Sequence, residues 1–261
     1  MKRNLKVLAL IPVFALAACA NLGKEVDEQA AQAYTLEMAK VEEPKNMTFS
    51  IEMSGSQKED GKSVSYKVVI KTKKAENGDV YTYVLEKQAN AQVKVEYYQV
   101  KNAKYEEVTY VSTSVSGQAT VKQAYTKKDN AAYETLIEDA EEEFGEIAAS
   151  YNELLSTPEN ALQLMEGDTE NITMKYYSNG EKNLSIKASM RNGKPSSQEE
   201  SEYAVSGDFL ATYNDYRFAS ISSTSKSNLG SVSVIKASAS YGKVSIGLPS
   251  GWEKALATLS V

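Results

Sequence analysis

Met47-Thr48-Phe49-Ser50-Ile51-Glu52-Met53 decides how this chain is read. Apolar residues fall at every second position and polar ones between them. That period belongs to a strand with one buried face. The residues before it keep a different period. Val26, Ala30, Ala33, Tyr34, Met38 and Val41 recur at steps of three and four, which predicts a helix over 25–41, stopped by Pro44. The chain therefore changes from helix to strand at Met47.

The strand period then continues. Val64, Tyr66, Val68 and Ile70 alternate, after a polar loop expected at 57–62. Asn77-Gly78-Asp79 is turn chemistry. Tyr81, Tyr83 and Leu85 follow, then Val93, Val95 and Tyr97, then a strand over 105–111 joined by a hairpin at 101–104. Five consecutive strands with short connections read as an antiparallel meander.

A helical period returns in mid-chain. Tyr133, Leu136, Ile137, Ala140, Phe144, Ile147, Ala148, Tyr151, Leu154 and Leu155 make one apolar stripe, with glutamates such as Glu134, Glu138 and Glu142 opposite it. Thr157 caps a second, shorter helix with Pro158 at its first position, and Gly167 ends it. Strands resume at Ile172, Met174 and Tyr176. They cross a hairpin turn at Asn179-Gly180 to Leu184, Ile186, Ala188 and Met190, and reach a second turn at Asn192-Gly193. Further strands are expected over 203–213, 216–222 and 232–239. A last one over 244–248 is closed by Pro249, and 252–259 is a tail or short helix. No Pro/Gly/Ser linker divides the chain, so one domain over 25–261 is expected. Its fold class is α+β: a single curved antiparallel sheet packed on an N-terminal helix and a mid-chain helix pair.

The N-terminus carries an address. Lys2, Arg3 and Lys6 precede an apolar run over 7–16, too short for a transmembrane helix of roughly 20 residues and suited to a signal peptide. Leu16-Ala17-Ala18-Cys19 ends it and holds the only cysteine. This stretch resembles the lipobox of bacterial lipoproteins. The resemblance implies cleavage before Cys19 and acylation there, so residues 1–18 are leader and 19–24 a lipidated tether. The alternative is an ordinary secretory signal cut after Ala18. Under the lipobox reading Cys19 has no redox or metal role. The protein is then anchored to the membrane on the extracytoplasmic side, through enough acyl chains to hold it.

Composition excludes several chemistries. Removing the first 18 of 261 residues leaves 243, and losing three cations takes the formal net charge from −6 to −9. An acidic chain argues against nucleic acid as a partner and against electrostatic docking to anionic lipid. With no histidine, Ser-His-Asp and Cys-His nucleophiles and His-based zinc or iron sites are excluded. No motif supports a Ser-Lys pair or a two-carboxylate hydrolase. The acidic run 138–146 lacks the spacing of a calcium loop. No cofactor, no metal and no catalytic residue is expected.

The element order resembles the lipoprotein-carrier superfamily of LolA-like, LolB-like and LppX/LprG-type proteins. It runs from an N-terminal helix into residues 47–53, through mid-chain helices that interrupt a meander, to closing strands at 216–221 and 244–249. The resemblance is topological and implies a half-barrel whose cavity, lidded by helices, holds acyl chains. Such a cavity needs an apolar lining. The expected lining is Phe49, Ile51, Met53, Val68 and Ile70 from strands, with Leu136, Ile137, Ile147 and Leu154 from the mid-chain helix; the bland reading is that these residues fill a dry core. The expected function is a non-catalytic envelope lipoprotein that binds or carries a lipid. The alternative is a surface module that binds an envelope protein.

Overall fold

The computed structural model describes residues 22–42, 44–59, 62–128, 133, 171–193 and 204–256. The protein is mostly β. Two meanders make one open antiparallel sheet. The first comprises β2 (Met47–Glu59), β3 (Lys62–Lys74), β4 (Val80–Gln88), β5 (Ala91–Asn102), β6 (Glu106–Val115) and β7 (Val121–Thr126). The second comprises β8 (Ile172–Ser178), β9 (Asn183–Gly193), β10 (Val205–Asn214), β11 (Arg217–Ser227) and β12 (Val232–Ser240). A short β1 (Lys24–Val26) completes the 12-stranded order β1-β8-β9-β10-β11-β12-β2-β3-β4-β5-β6-β7. The meanders meet where β12 pairs with β2, in register from Val232↔Ser56 to Ser240↔Thr48.

The helix α1 spans Glu28–Met38, shorter at both ends than the period suggested. Residues 24–26 are taken by pairing with β8 instead. Asp27 sets the start: its side chain accepts from the Ala30 amide at 2.8 Å, satisfying one of the orphan donors of the first turn. Only Ala31 and Tyr34 are buried. Tyr34 fixes the helix to the sheet by donating to the Lys182 carbonyl at 2.9 Å and accepting from the Tyr216 amide at 3.2 Å. Its ring packs on Tyr216 at 4.9 Å. Helix α1 is thus tied to the β8–β9 and β10–β11 turns.

Other expectations need correction. The polar loop at 57–62 does not exist at that length, because β2 and β3 carry their ladder to Glu59↔Lys62. Polar side chains do not end a ladder made by backbone groups. No strand forms over 244–248. The edges of β12 are already occupied by β11 and β2, so the next segment has no adjacent edge to join. Residues 241–256 run as a strap instead. Tyr241 donates to the Phe218 carbonyl, and the Val244 amide donates to Asn46. Trp252 packs edge-on against Tyr105 at 5.9 Å, and Leu256 makes one parallel bridge to Ala124 on β7. Residues 252–255 form a 3-10 turn, Trp252–Ala255. Both β1 and β7 lacked a clear period in the sequence.

The mid-chain helix pair is absent from the described elements, where α1 is the only α-helix. Of the residues assigned to that pair only Tyr133, with helical backbone, is described. Leu136, Ile137, Ile147 and Leu154 lie outside the described residues, as do Leu16, Ala17, Ala18 and Cys19.

Candidate functional site

The register across β12–β2 and β2–β3 sets the candidate site. Ile51 faces Ile70 and Ala237, and Met53 faces Val68 and Ile235. Period two then carries the same face through Ile221, Ala211 and Ile186. The five strand residues expected to line a cavity therefore share one side of the sheet, here the core face. Phe49, Ile51 and Ile70 are buried, and Met53 and Val68 pack partly buried against them. What they form is a packed patch, continuous with Leu184, Ile186, Ala188, Met190, Phe209 and Ala211. The second meander contributes more of this face than the first. Its alternation was visible in the sequence, but its placement beside Phe49 and Ile51 depends on the β12–β2 pairing, which no local pattern encodes.

Where α1 sits, the face is closed by Ala31 and Tyr34, with Tyr213 and Phe218 packed edge to face at 6.0 Å. At the opposite end it becomes polar. A pocket of about 150 Å³ lies among Ser56, Gln57, Tyr66, Val205, Ser225, Ser227, Ser231, Val232 and Ser233. Two glycines make room here. A Cβ on Gly55 would lie 2.2 Å from the Val232 carbonyl oxygen and 2.7 Å from the Tyr66 hydroxyl. A Cβ on Gly207 would lie 2.7 Å from the Thr224 carbonyl oxygen. The Tyr66 ring covers Gly55, its cross-strand partner, and its hydroxyl donates to Ser233 Oγ at 3.2 Å. The pocket offers neutral hydroxyls at the end of an apolar face, a lining that suits a neutral polar group attached to an apolar body. Sequence reading missed it, since its serines come from three strands and the β11–β12 turn and carry no spacing signal.

A second polar cluster lies on the core face of β5 and β6. Tyr97 donates to Gln99, Gln99 to Glu107, and Tyr133 to Glu107 at 3.1 Å, while Thr109 and Tyr133 share a bond of 2.9 Å. Burial moves the Tyr133 hydroxyl well above its ordinary pKa; the Thr109 bond works against the shift, and the neighbouring Glu107 carboxylate adds to it. It stays neutral and acts as a structural donor. Thr72, also on this face, has no hydrogen-bond partner for its hydroxyl among the described residues. Among them no group of three acidic, cysteine or histidine side chains is placed to hold a metal ion. No described helix is long and apolar enough to cross a membrane.

No family model matches the chain, and no curated protein matches it. Solved structures do. One is a DUF1329 family protein from Desulfovibrio piger, 12% identical over 86% of this chain and 95% of that one, with a TM-score of 0.24. Another is a β-barrel-like protein of the domain of unknown function DUF1849 from Brucella abortus, 9% identical over 77% of this chain and 98% of that one, with a TM-score of 0.23. The similarity is to β-rich proteins of unknown function. At these scores it assigns no family and carries no argument about function.

Proposed function

We propose that this chain is a cell-envelope lipoprotein, acylated at Cys19 and held on the extracytoplasmic side of the membrane. Its sheet is a LolA/LppX-like half-barrel that binds a lipid or similar amphiphile and catalyses nothing. One observation carries the reading. The core face is apolar across seven adjacent strands, β9 to β12 and β2 to β4, with a hydroxyl-lined pocket at its open end. At about 4.8 Å between strands that face is roughly 30 Å wide. It is wide enough for an acyl chain, and the serines can meet a polar headgroup.

Native mass spectrometry of the mature chain, followed by organic extraction, tests this. A co-purifying species of lipid mass is expected. A clean apo mass, unchanged after incubation with membrane lipid, would sink the reading and turn the search to an envelope protein partner.

A further inference from the structure

The sheet face opposite the core carries a charge that the whole chain does not. On β3, β4 and β5 this outer face holds Lys67, Lys71, Lys73, Lys87 and Lys94, against one acid, Glu96. The chain as a whole has 35 acidic and 29 basic residues. The middle of the core face of the same strands is uncharged, with Val68, Ile70, Thr82, Val84, Val95 and Tyr97. Five of the eight lysines on these strands lie on the outer side, and the other three, Lys62, Lys74 and Lys101, sit at strand ends.

Their arrangement is costly for the fold alone. Lys67 stands directly opposite Lys87, and near the other end of the sheet Lys175 stands opposite Lys187 on the same outer side. Like charges facing each other across strands are destabilising. Glu52, Glu96 and Glu25 relieve Lys67, Lys94 and Lys175, at 2.8, 3.0 and 3.2 Å. Lys71 and Lys73 instead lie over tyrosine rings, 5.7 Å from Tyr83 and 5.6 Å from Tyr81. Both ammonium groups are exposed.

We propose that this outer Lys/Tyr face rests on an anionic lipid bilayer. Three features select a bilayer over other polyanions. The cations are all lysines, compact point charges without the bidentate fork that reads phosphate or base edges specifically. They alternate with tyrosines, whose rings and wet edges suit the headgroup layer. They also spread over a broad sheet face rather than line a groove. A fourth feature rests on the lipoprotein reading above. From Cys19 to the first residue of β1 is five residues, at most about 17 Å of chain, so an acylated Cys19 keeps the β1 edge of the sheet within reach of the headgroups. Lys175 and Lys187 lie on the outer face beside that edge. Composition alone argued against docking to anionic lipid; the segregation of charge between faces reverses that argument locally.

Amine footprinting of the full lipoprotein on phosphatidylcholine vesicles, with and without phosphatidylglycerol, tests the proposal. Lys71, Lys73 and Lys87 should label several-fold more slowly on the anionic vesicles, with protection lost near 1 M salt, where screening is about 3 Å. Lys40, in the turn just after α1, should label equally on both. Equal labelling of the three sheet lysines, or protection indifferent to salt, overturns the proposal. The double variant K71E/K73E, which changes exposed side chains only, should lose the discrimination while keeping its circular dichroism; discrimination that persists in it also overturns the proposal. Failure to stay on neutral vesicles counts against the acyl anchor alone. The face is then judged by salt-sensitive sedimentation of the unanchored chain with anionic vesicles, and its absence, or binding to soluble polyphosphate in its place, overturns the proposal.

Discussion

The second meander and the far end of the first solve the same problem differently. Strands β9 to β11 bury one face. Leu184, Ile186, Ala188 and Met190 are buried, while Lys187 between them is exposed. Strands β5 to β7 bury both. Tyr97 and Thr109 lie on the core side beneath Tyr133; Val108, Tyr110 and Ala124 lie on the outer side, where the C-terminal strap ends. One-sided burial makes each apolar side chain decisive. Two-sided burial shares the load between two layers and admits hydroxyls such as Thr109 and Ser112 into the interior.

The sharpest way to break this comparison is through its largest side chains. Phe209→Ala should cost about 3–5 kcal/mol in urea unfolding, because it opens a cavity in the one layer β10 has. Val108→Ala should cost about 2 kcal/mol, from two lost methyls and an incompletely collapsed gap. Val121 on neighbouring β7 is 55% exposed, and Val121→Ala should stay within about 0.5 kcal/mol. Equal losses at Val108 and Val121 would show that the strap does not seal the outer layer.

Alkaline pH probes both halves together, through Tyr34 on the α1 side and Tyr133 under β6. Desolvation by burial raises the pKa of each hydroxyl in the folded protein. A raised folded pKa means that the unfolded chain loses its proton first. The stabilising contribution is therefore complete below about pH 10 and is lost as pH rises through the folded values. Stability should fall by about 1.4 kcal/mol per pH unit for each tyrosine in that window. Urea midpoints that hold steady there would contradict it. Tyr133→Phe isolates the double-sided half: losing its bonds to Thr109 and Glu107 should cost about 1 kcal/mol. Asp27→Ala should cost a similar or smaller amount by removing the α1 cap, read as lost helical ellipticity.

The same contrast explains what was legible in the sequence. One-sided strands keep period two, so Met47–Met53 and Leu184–Met190 were found with their buried faces correct. In β6, Val108-Thr109-Tyr110 is buried at every position, and the alternation that marks a face disappears. Strand β7 reads Val-Lys-Gln-Ala-Tyr-Thr, too polar to announce itself, and is held by pairing with β6. The candidate site was half legible. Its strand residues lie together on one face, but the pocket beyond them depends on Gly55, Gly207 and scattered serines. The outer lysines were read only as part of a total charge, because a total does not record sides.

The junction of β12 with β2 also sets an order of events. Those strands are separated by some 180 positions along the chain, and neither can finish its ladder without the other. During synthesis the first meander stands with the β2 edge bare until the last strand arrives, and a bare edge of 13 residues is a template for pairing with other copies. Long-range closure of this kind is slow. Docking of β12 therefore joins the two half-sheets, and interrupting the chain before Val232 leaves each of them with an exposed, aggregation-prone edge.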